Sequence, residues 1–128
     1  MKNYAQVYVM NSFEAVDKYC KAFGAAVRFK IINEKGTAYE HCELSVEAEP
    51  VLAVSEAATP YDVNMIHKNK FQVMTFNAFE LGTAEAVKKA FDDLKEGGVV
   101  IEDIHEVPWS KCCATVIDKY GVCWWISI

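Results

Sequence analysis

An internal repeat constrains this chain more than any other feature: three matched pieces occur twice, in the same order. Gln6-Val7 with Asn11 is echoed by Gln72-Val73 with Asn77, Glu14-Ala15-Val16-x-Lys18 by Glu85-Ala86-Val87-x-Lys89, and Gly24 by Gly97-Gly98. The first two pieces stand five residues further apart in the second copy, which reads as a diverged duplication. Within 128 residues, neither copy is large enough to hold a core alone, so the two are expected to be fused into one domain.

Each copy reads as strand, helix, strand, strand, strand. In the first, Tyr4 to Met10 is rich in β-formers, and Asn11 with Glu14 three residues on fits a capping box. Phe13, Val16, Cys20 and Phe23 fall on one helical face, and Gly24 stops the helix. Strands follow at Val27 to Asn33, Thr37 to Val46 and Pro50 to Ser55, with a turn at Lys35-Gly36. In the second copy Phe71 to Phe79 is the strand, and Thr83 caps a helix buried through Val87, Ala90, Phe91 and Leu94. Strands at Val99 to Ile104, Cys112 to Ile117 and Val122 to Ile128 complete it, the last two joined by Lys119-Tyr120-Gly121. The predicted fold is α+β: two βαβββ modules, about 1–57 and 70–128, joined by a loop at about 58–69 and forming a curved mixed sheet. One helix covers one face of each module. The other faces are expected to make a concave trough where a small-molecule ligand belongs.

Thirteen basic against eighteen acidic residues give a net charge of −5, which disfavours nucleic acid and anionic membrane surfaces as partners. No apolar run approaches the roughly 20 residues of a membrane span, and no basic flank precedes an apolar stretch at the N-terminus. A cytoplasmic protein is expected. The five cysteines are an odd number without Cys-x-x-Cys spacing, which fits buried thiols better than a disulfide framework or structural zinc. Cys112-Cys113 stands out, because adjacent strand residues face opposite ways and one of them can line a cavity.

Asn11-x-x-Glu14-Ala15-x-x-x-Tyr19-x-x-x-Phe23-Gly24, then His41 with Leu44, then Glu106-x-x-Trp109 and Val116-x-Asp118-Lys119-Tyr120-Gly121-Val122-x-Trp124 span nearly the whole chain. In these pieces the chain resembles the vicinal oxygen chelate (glyoxalase/bleomycin-resistance/dioxygenase) superfamily, and within it the PhnB-like branch. The resemblance implies paired βαβββ modules and a homodimer. Metal-using members hold a divalent ion on the first and last strands of each module; carried over, those positions are Tyr4, Ala53, Phe71 and Trp125. None can replace a carboxylate or imidazole, and the nearby Gln6 and Gln72 are neutral amides. The resemblance thus implies a cavity with no metal ligand and no cofactor, a divalent metal on a displaced set being the alternative. The branch's methyltransferase-like label finds no Gly-rich strand-to-helix turn here, and a phosphonate site would want clustered arginines where Arg28 is the only one.

The candidate catalytic pair is His41 and Glu43, two residues apart on one strand face with Tyr39 beside them; a carboxylate next to an imidazole fixes its tautomer and raises its basicity. Candidate ligand-binding residues are Gln6, Tyr39, Gln72, Trp109 and Trp125. The tryptophans can stack on a flat ligand, and Gln6 and Gln72 hold matching places in the two copies. Asp118 is expected to shape its hairpin, while His67 and His105 are expected to be solvated. Three functions compete: a metal-free small-molecule binding protein or enzyme, a metal-dependent lyase, isomerase or dioxygenase, and a non-enzymatic sequestering protein of the resistance type.

Overall fold

The computed structural model describes residues 4–57 and 75–128, which fall into two units, Met1–Pro60 and Tyr61–Ile128. The connecting segment 58–69, with His67, and the positions Phe71 and Gln72 lie outside the described residues. Both units are α+β modules of the expected order, and each builds its own four-stranded mixed sheet.

The first unit comprises β1 (Ala5–Val9), α1 (Ser12–Phe23), β2 (Ala26–Ile32), β3 (Tyr39–Val46) and β4 (Glu49–Glu56), with sheet order β1-β4-β3-β2. β1 runs parallel to β4; the other neighbours are antiparallel. Alternation sends Val7, Val9, Cys42, Leu44, Leu52 and Val54 to the helix side, where each is at most 5% exposed. Against them α1 buries Ala15, Val16, Tyr19 and Ala22, so its inner face is turned from the expected stripe of Phe13, Val16, Cys20 and Phe23. Two alanines let the helix approach the sheet closely and Tyr19 fills the space between. Phe13, Cys20 and Phe23 are left half-buried at the margins.

The cap of α1 also differs from the expected box. Asn11 is left-handed (φ 59°, ψ 55°) and its side chain makes no capping bond. The carboxylate of Glu56, at the end of β4, takes the place: Oε1 accepts from the Asn11 N–H at 2.9 Å and Oε2 from the Ser12 N–H at 2.7 Å. A full negative charge at a helix N-terminus meets both the unpaired donors and the helix dipole. Burial pushes the Glu56 carboxyl up, but the bonds from Ser12 and Asn11 outweigh it and hold the group below the ordinary range. Gly24, at φ 65°, ends the helix as expected, its N–H donating to Cys20 O.

The second unit comprises β5 (Thr75–Ala78), α2 (Ala84–Lys95), β6 (Val99–Val107), β7 (Ser110–Ile117) and β8 (Cys123–Ser127), with sheet order β5-β8-β7-β6 and β5 parallel to β8. Thr83 caps α2, its Oγ1 accepting from the Ala86 N–H at 3.1 Å. Val87, Ala90, Phe91 and Leu94 form the buried stripe. The burial of each large member is worth about 1.5–3 kcal/mol. The register corrects the alignment of the repeat. Gln6 lies opposite Ala53 in the first sheet and Asn77 opposite Trp125 in the second. Gln6 to Asn77 is the same interval as Glu14 to Glu85, so strand and helix repeat together and no five-residue insertion is needed. Asn77, not Gln72, holds the place of Gln6.

Asp118 organises the β7–β8 hairpin as expected. It is 0% exposed; Oδ1 accepts from the N–H groups of Tyr120 and Val122 at 2.9 and 3.0 Å, and Oδ2 from Trp124 Nε1 at 2.8 Å. All five cysteines are free thiols, and four of them are buried. No helix among the described residues is long and apolar enough to cross a membrane.

Two predictions follow from this packing. A Cβ added at Gly98 would overlap Ile117 O and stand 3.0 Å from Asp118 Cα, both backbone atoms. Gly98→Ala is expected to lower stability by about 2–3 kcal/mol in urea unfolding, and a loss under half a kcal/mol would contradict the packing. Glu56 has a depressed pKa, so its contribution is complete above the unfolded carboxylate value of about 4.3 and is lost as pH falls through the folded value. Glu56→Gln should remove about 1 kcal/mol at neutral pH and flatten the fall in stability below pH ~4.3, read from unfolding midpoints across pH.

Candidate functional site

The face of the first sheet turned away from α1 gathers polar groups around one carboxylate. Glu43 of β3, Ala53 of β4 and Gln6 of β1 lie on one rung, because Glu43 pairs with Ala53 and Ala53 with Gln6. Residues directly opposite in a ladder share a face, so these side chains point the same way. Glu43 Oε1 accepts from the Tyr4 hydroxyl at 3.2 Å and lies 3.1 Å from His41 Nε2, while Oε2 is 3.6 Å from Arg28 Nε. The hydrogen bond from His41 is the main influence on Glu43; with Tyr4 and Arg28 it overrides burial and holds the carboxyl below its ordinary range. Glu43 is therefore ionised at neutral pH and can only accept. In the neutral imidazole the Nε2 hydrogen then faces Glu43, and Nδ1 is the free acceptor. Burial, then the bond to Glu43, raise the Tyr4 phenol, which stays protonated as a donor.

Apolar surface borders this cluster. Phe29 lies opposite Glu43 on β2, its ring centroid 6.2 Å from that of His41, and Ile31 lies opposite His41. Phe29, Ile31, Tyr4 and Tyr8 are 50%, 45%, 42% and 61% exposed. Gln6 Nε2 donates to Ser55 Oγ at 3.0 Å on the next rung.

His41, Glu43 and Gln6 thus share one face, as the strand period implies. Tyr39 does not join them. A register irregularity in the β2–β3 ladder sets Ile31 against His41 but Ile32 against Tyr39, so Glu40 is the extra residue and the alternation reverses beyond it. Tyr39 packs edge-on against Phe13 of α1, ring centroids 4.6 Å apart, and its N–H donates to Ser12 Oγ at 2.9 Å. Trp109 sits in the β6–β7 turn, 73% exposed. Trp125 is half-buried on the face of the second sheet away from α2, opposite Thr115 and Asn77. Trp124 faces the core and bonds Asp118. Missing from the sequence reading were Tyr4 and Arg28 as partners of Glu43; the residues are non-adjacent in sequence, and only the alternation of β1 offered a signal for Tyr4. His105 is not free in solvent but half-buried against Cys113.

A divalent ion fits this cluster poorly. The Arg28 guanidinium stands where a cation would compete for Glu43, and beside the His41 imidazole the remaining polar atoms come from an amide, a phenol and a hydroxyl. Ala53 and Trp125 hold equivalent central rungs of β4 and β8, and neither can ligate. Among the described residues no three His, Cys, Asp or Glu side chains come together in a group that could hold a metal ion.

The paired modules and their register define a glyoxalase-type fold, and the chain belongs to the Glyoxalase/Bleomycin resistance protein/Dioxygenase superfamily, whose family model matches residues 3–126. Comparison with curated protein sequences returns no match. Among solved structures, protein PA1353 from Pseudomonas aeruginosa is similar at a TM-score of 0.76 and 17% identity, over 99% of this chain and 96% of that one. The putative 3-demethylubiquinone-9 3-methyltransferase, a PhnB protein from Bacillus cereus, is similar at 0.75 and 16%, over 99% and 98%. The fosfomycin resistance protein FosX from Listeria monocytogenes is similar at 0.66 and 8%, over 99% and 91%. At these identities the likeness is one of fold.

The geometry makes one spectroscopic prediction. At a pH where His41 is neutral, nitrogen NMR should find the Nε2–H tautomer dominant, and Glu43→Gln should shift the population toward a mixture. An Nδ1–H tautomer in the unmodified protein would contradict the assignment.

Proposed function

We propose that this protein binds a small organic molecule against the open face of its first sheet, without a metal ion, and that His41 and Glu43 are the polar pair that receives it. The observation that carries this reading is the ionised Glu43 carboxylate, half-buried between Tyr4, His41 and Arg28 and bordered by the exposed rings of Phe29 and Tyr8. An apolar ligand body lies on Phe29 and Ile31. A hydroxyl, or an acidic C–H beside a carbonyl, meets His41 Nδ1. Chemically the pair suits proton abstraction: His41 takes the proton at Nδ1, and Glu43 stabilises the imidazolium through Nε2–H. Arg28 places a positive charge close by for a developing oxyanion, while Tyr4 keeps its one O–H on Glu43. Family membership supports a small organic ligand in general terms and leaves its identity open.

The test is a fragment screen by thermal shift and NMR on the whole chain, followed by titration of the hits. His41→Ala and Glu43→Gln should each weaken binding about tenfold, roughly 1.4 kcal/mol, while Trp109→Ala should leave it unchanged. Hits that bind the three variants and the parent alike would sink the reading. Solvent deuterium appearing in a bound ligand, dependent on His41, would mark an enzyme, and binding without exchange or turnover a sequestering protein.

A further inference from the structure

The second sheet carries a polar constellation of its own on the face away from α2. Register pairs His105 of β6 with Cys113 of β7, and Cys113 with Ser127 of β8, so the three side chains share one rung and one face. Thr115 faces Trp125 as Glu43 faces Ala53, so Cys113 takes the position that His41 has in the first sheet. His105 Nδ1 lies 2.7 Å from the carbonyl oxygen of Asp103. A carbonyl only accepts, so Nδ1 carries the hydrogen and the neutral ring turns an unprotonated Nε2 outward. That nitrogen is 3.7 Å from Cys113 Sγ, and the thiol also has the His105 carbonyl oxygen at 3.6 Å. At the other end of the rung, Ser127 Oγ is buried, the residue being 1% exposed, with no hydrogen-bond partner among the described residues. Buried hydroxyls are nearly always satisfied, so this one is open to a group beyond the described residues.

We propose that this rung is a second ligand site, built from residues other than the His41 cluster, and that it takes a small α,β-unsaturated carbonyl compound. The carbonyl oxygen accepts from the Ser127 hydroxyl, and half-buried Trp125, two residues along the same strand face, lies beside the apolar part. Cys113 sulfur forms a bond to the β-carbon as its proton passes to His105 Nε2. The electrons of the carbon–carbon double bond move to the oxygen, and the imidazolium returns the proton to the α-carbon, leaving a thioether with no other reactant consumed. Burial, and then the charges of Glu102 and Cys112, raise the Cys113 thiol, so the sulfur is protonated at rest and needs the base. Cys113 is 0% exposed. Its neighbour His105 hangs on an edge strand whose ladder to β7 is broken by three register shifts, so this cover can open while the helix-packed core stays closed.

The test uses N-ethylmaleimide, a small compound of this class, on the native chain, with tandem mass spectrometry separating Cys113 from Cys112. Cys113 should be labelled about tenfold faster than Cys42 and Cys123, which are equally or almost as deeply buried and have no imidazole hydrogen bond among the described residues. His105→Gln should slow Cys113 by about tenfold and leave Cys42 and Cys123 unchanged. Ser127→Ala should slow it by about fivefold, the worth of one hydrogen bond to the carbonyl. Equal labelling of Cys113 and Cys42, or a Cys113 rate that neither substitution lowers, overturns the proposal. If His105→Gln unfolds the protein, all five cysteines accelerate together, and Ser127→Ala alone then decides.

Discussion

In each module the first strand lies parallel to the last, β1 beside β4 and β5 beside β8, and most else depends on that pairing. A parallel neighbour cannot be reached by a tight turn, so the chain must cross over, and the helix is the crossover. Since the helix covers one side only, alternate residues of every strand face away from it. Val7, Leu44 and Val54 belong to the helix side; Gln6, Glu43 and Ala53 belong to the other. Both polar constellations occupy positions on that other face, where a β-strand holds side chains more rigidly than a loop would.

Much of the architecture was legible in the sequence because it rests on local chemistry. Gly24 and Thr83 end and begin helices by backbone and hydroxyl geometry that needs no distant partner. The α2 stripe was clear because its large apolar residues are also the buried ones. In α1 the large residues Phe13 and Phe23 lie at the margins while alanines face the sheet, so counting bulk misplaced the inner face. The cap by Glu56 could not be read at all, since its partners Asn11 and Ser12 are 45 and 44 residues away. The strand period put His41 and Glu43 together correctly. It failed at Tyr39, because a bulge at Glu40 leaves no mark in the pattern of apolar residues.

The two copies have kept the frame and exchanged the chemistry. At matching rungs the first sheet has His41 and Glu43 on β3, and the second has Cys113 and Thr115 on β7. In the second sheet the imidazole and carboxylate come from β6 instead, where His105 faces Cys113 and Glu102 Oε2 accepts from Thr115 Oγ1 at 2.7 Å. A duplicated scaffold permits this, because open-face residues can change without disturbing the helix-packed side.

The buried carboxylate of Asp118 has a further consequence, for the fidelity of folding. Its two oxygens meet backbone donors of the turn and the indole of Trp124, which lies on the core side of β8 only when Val116 and Trp124 are in register. A slip of one residue would turn the indole to the opposite face and strand a negative charge in the interior. A charge in the core thus acts as a key that fits one alignment of the last two strands, setting a penalty on every other hairpin this sequence can make.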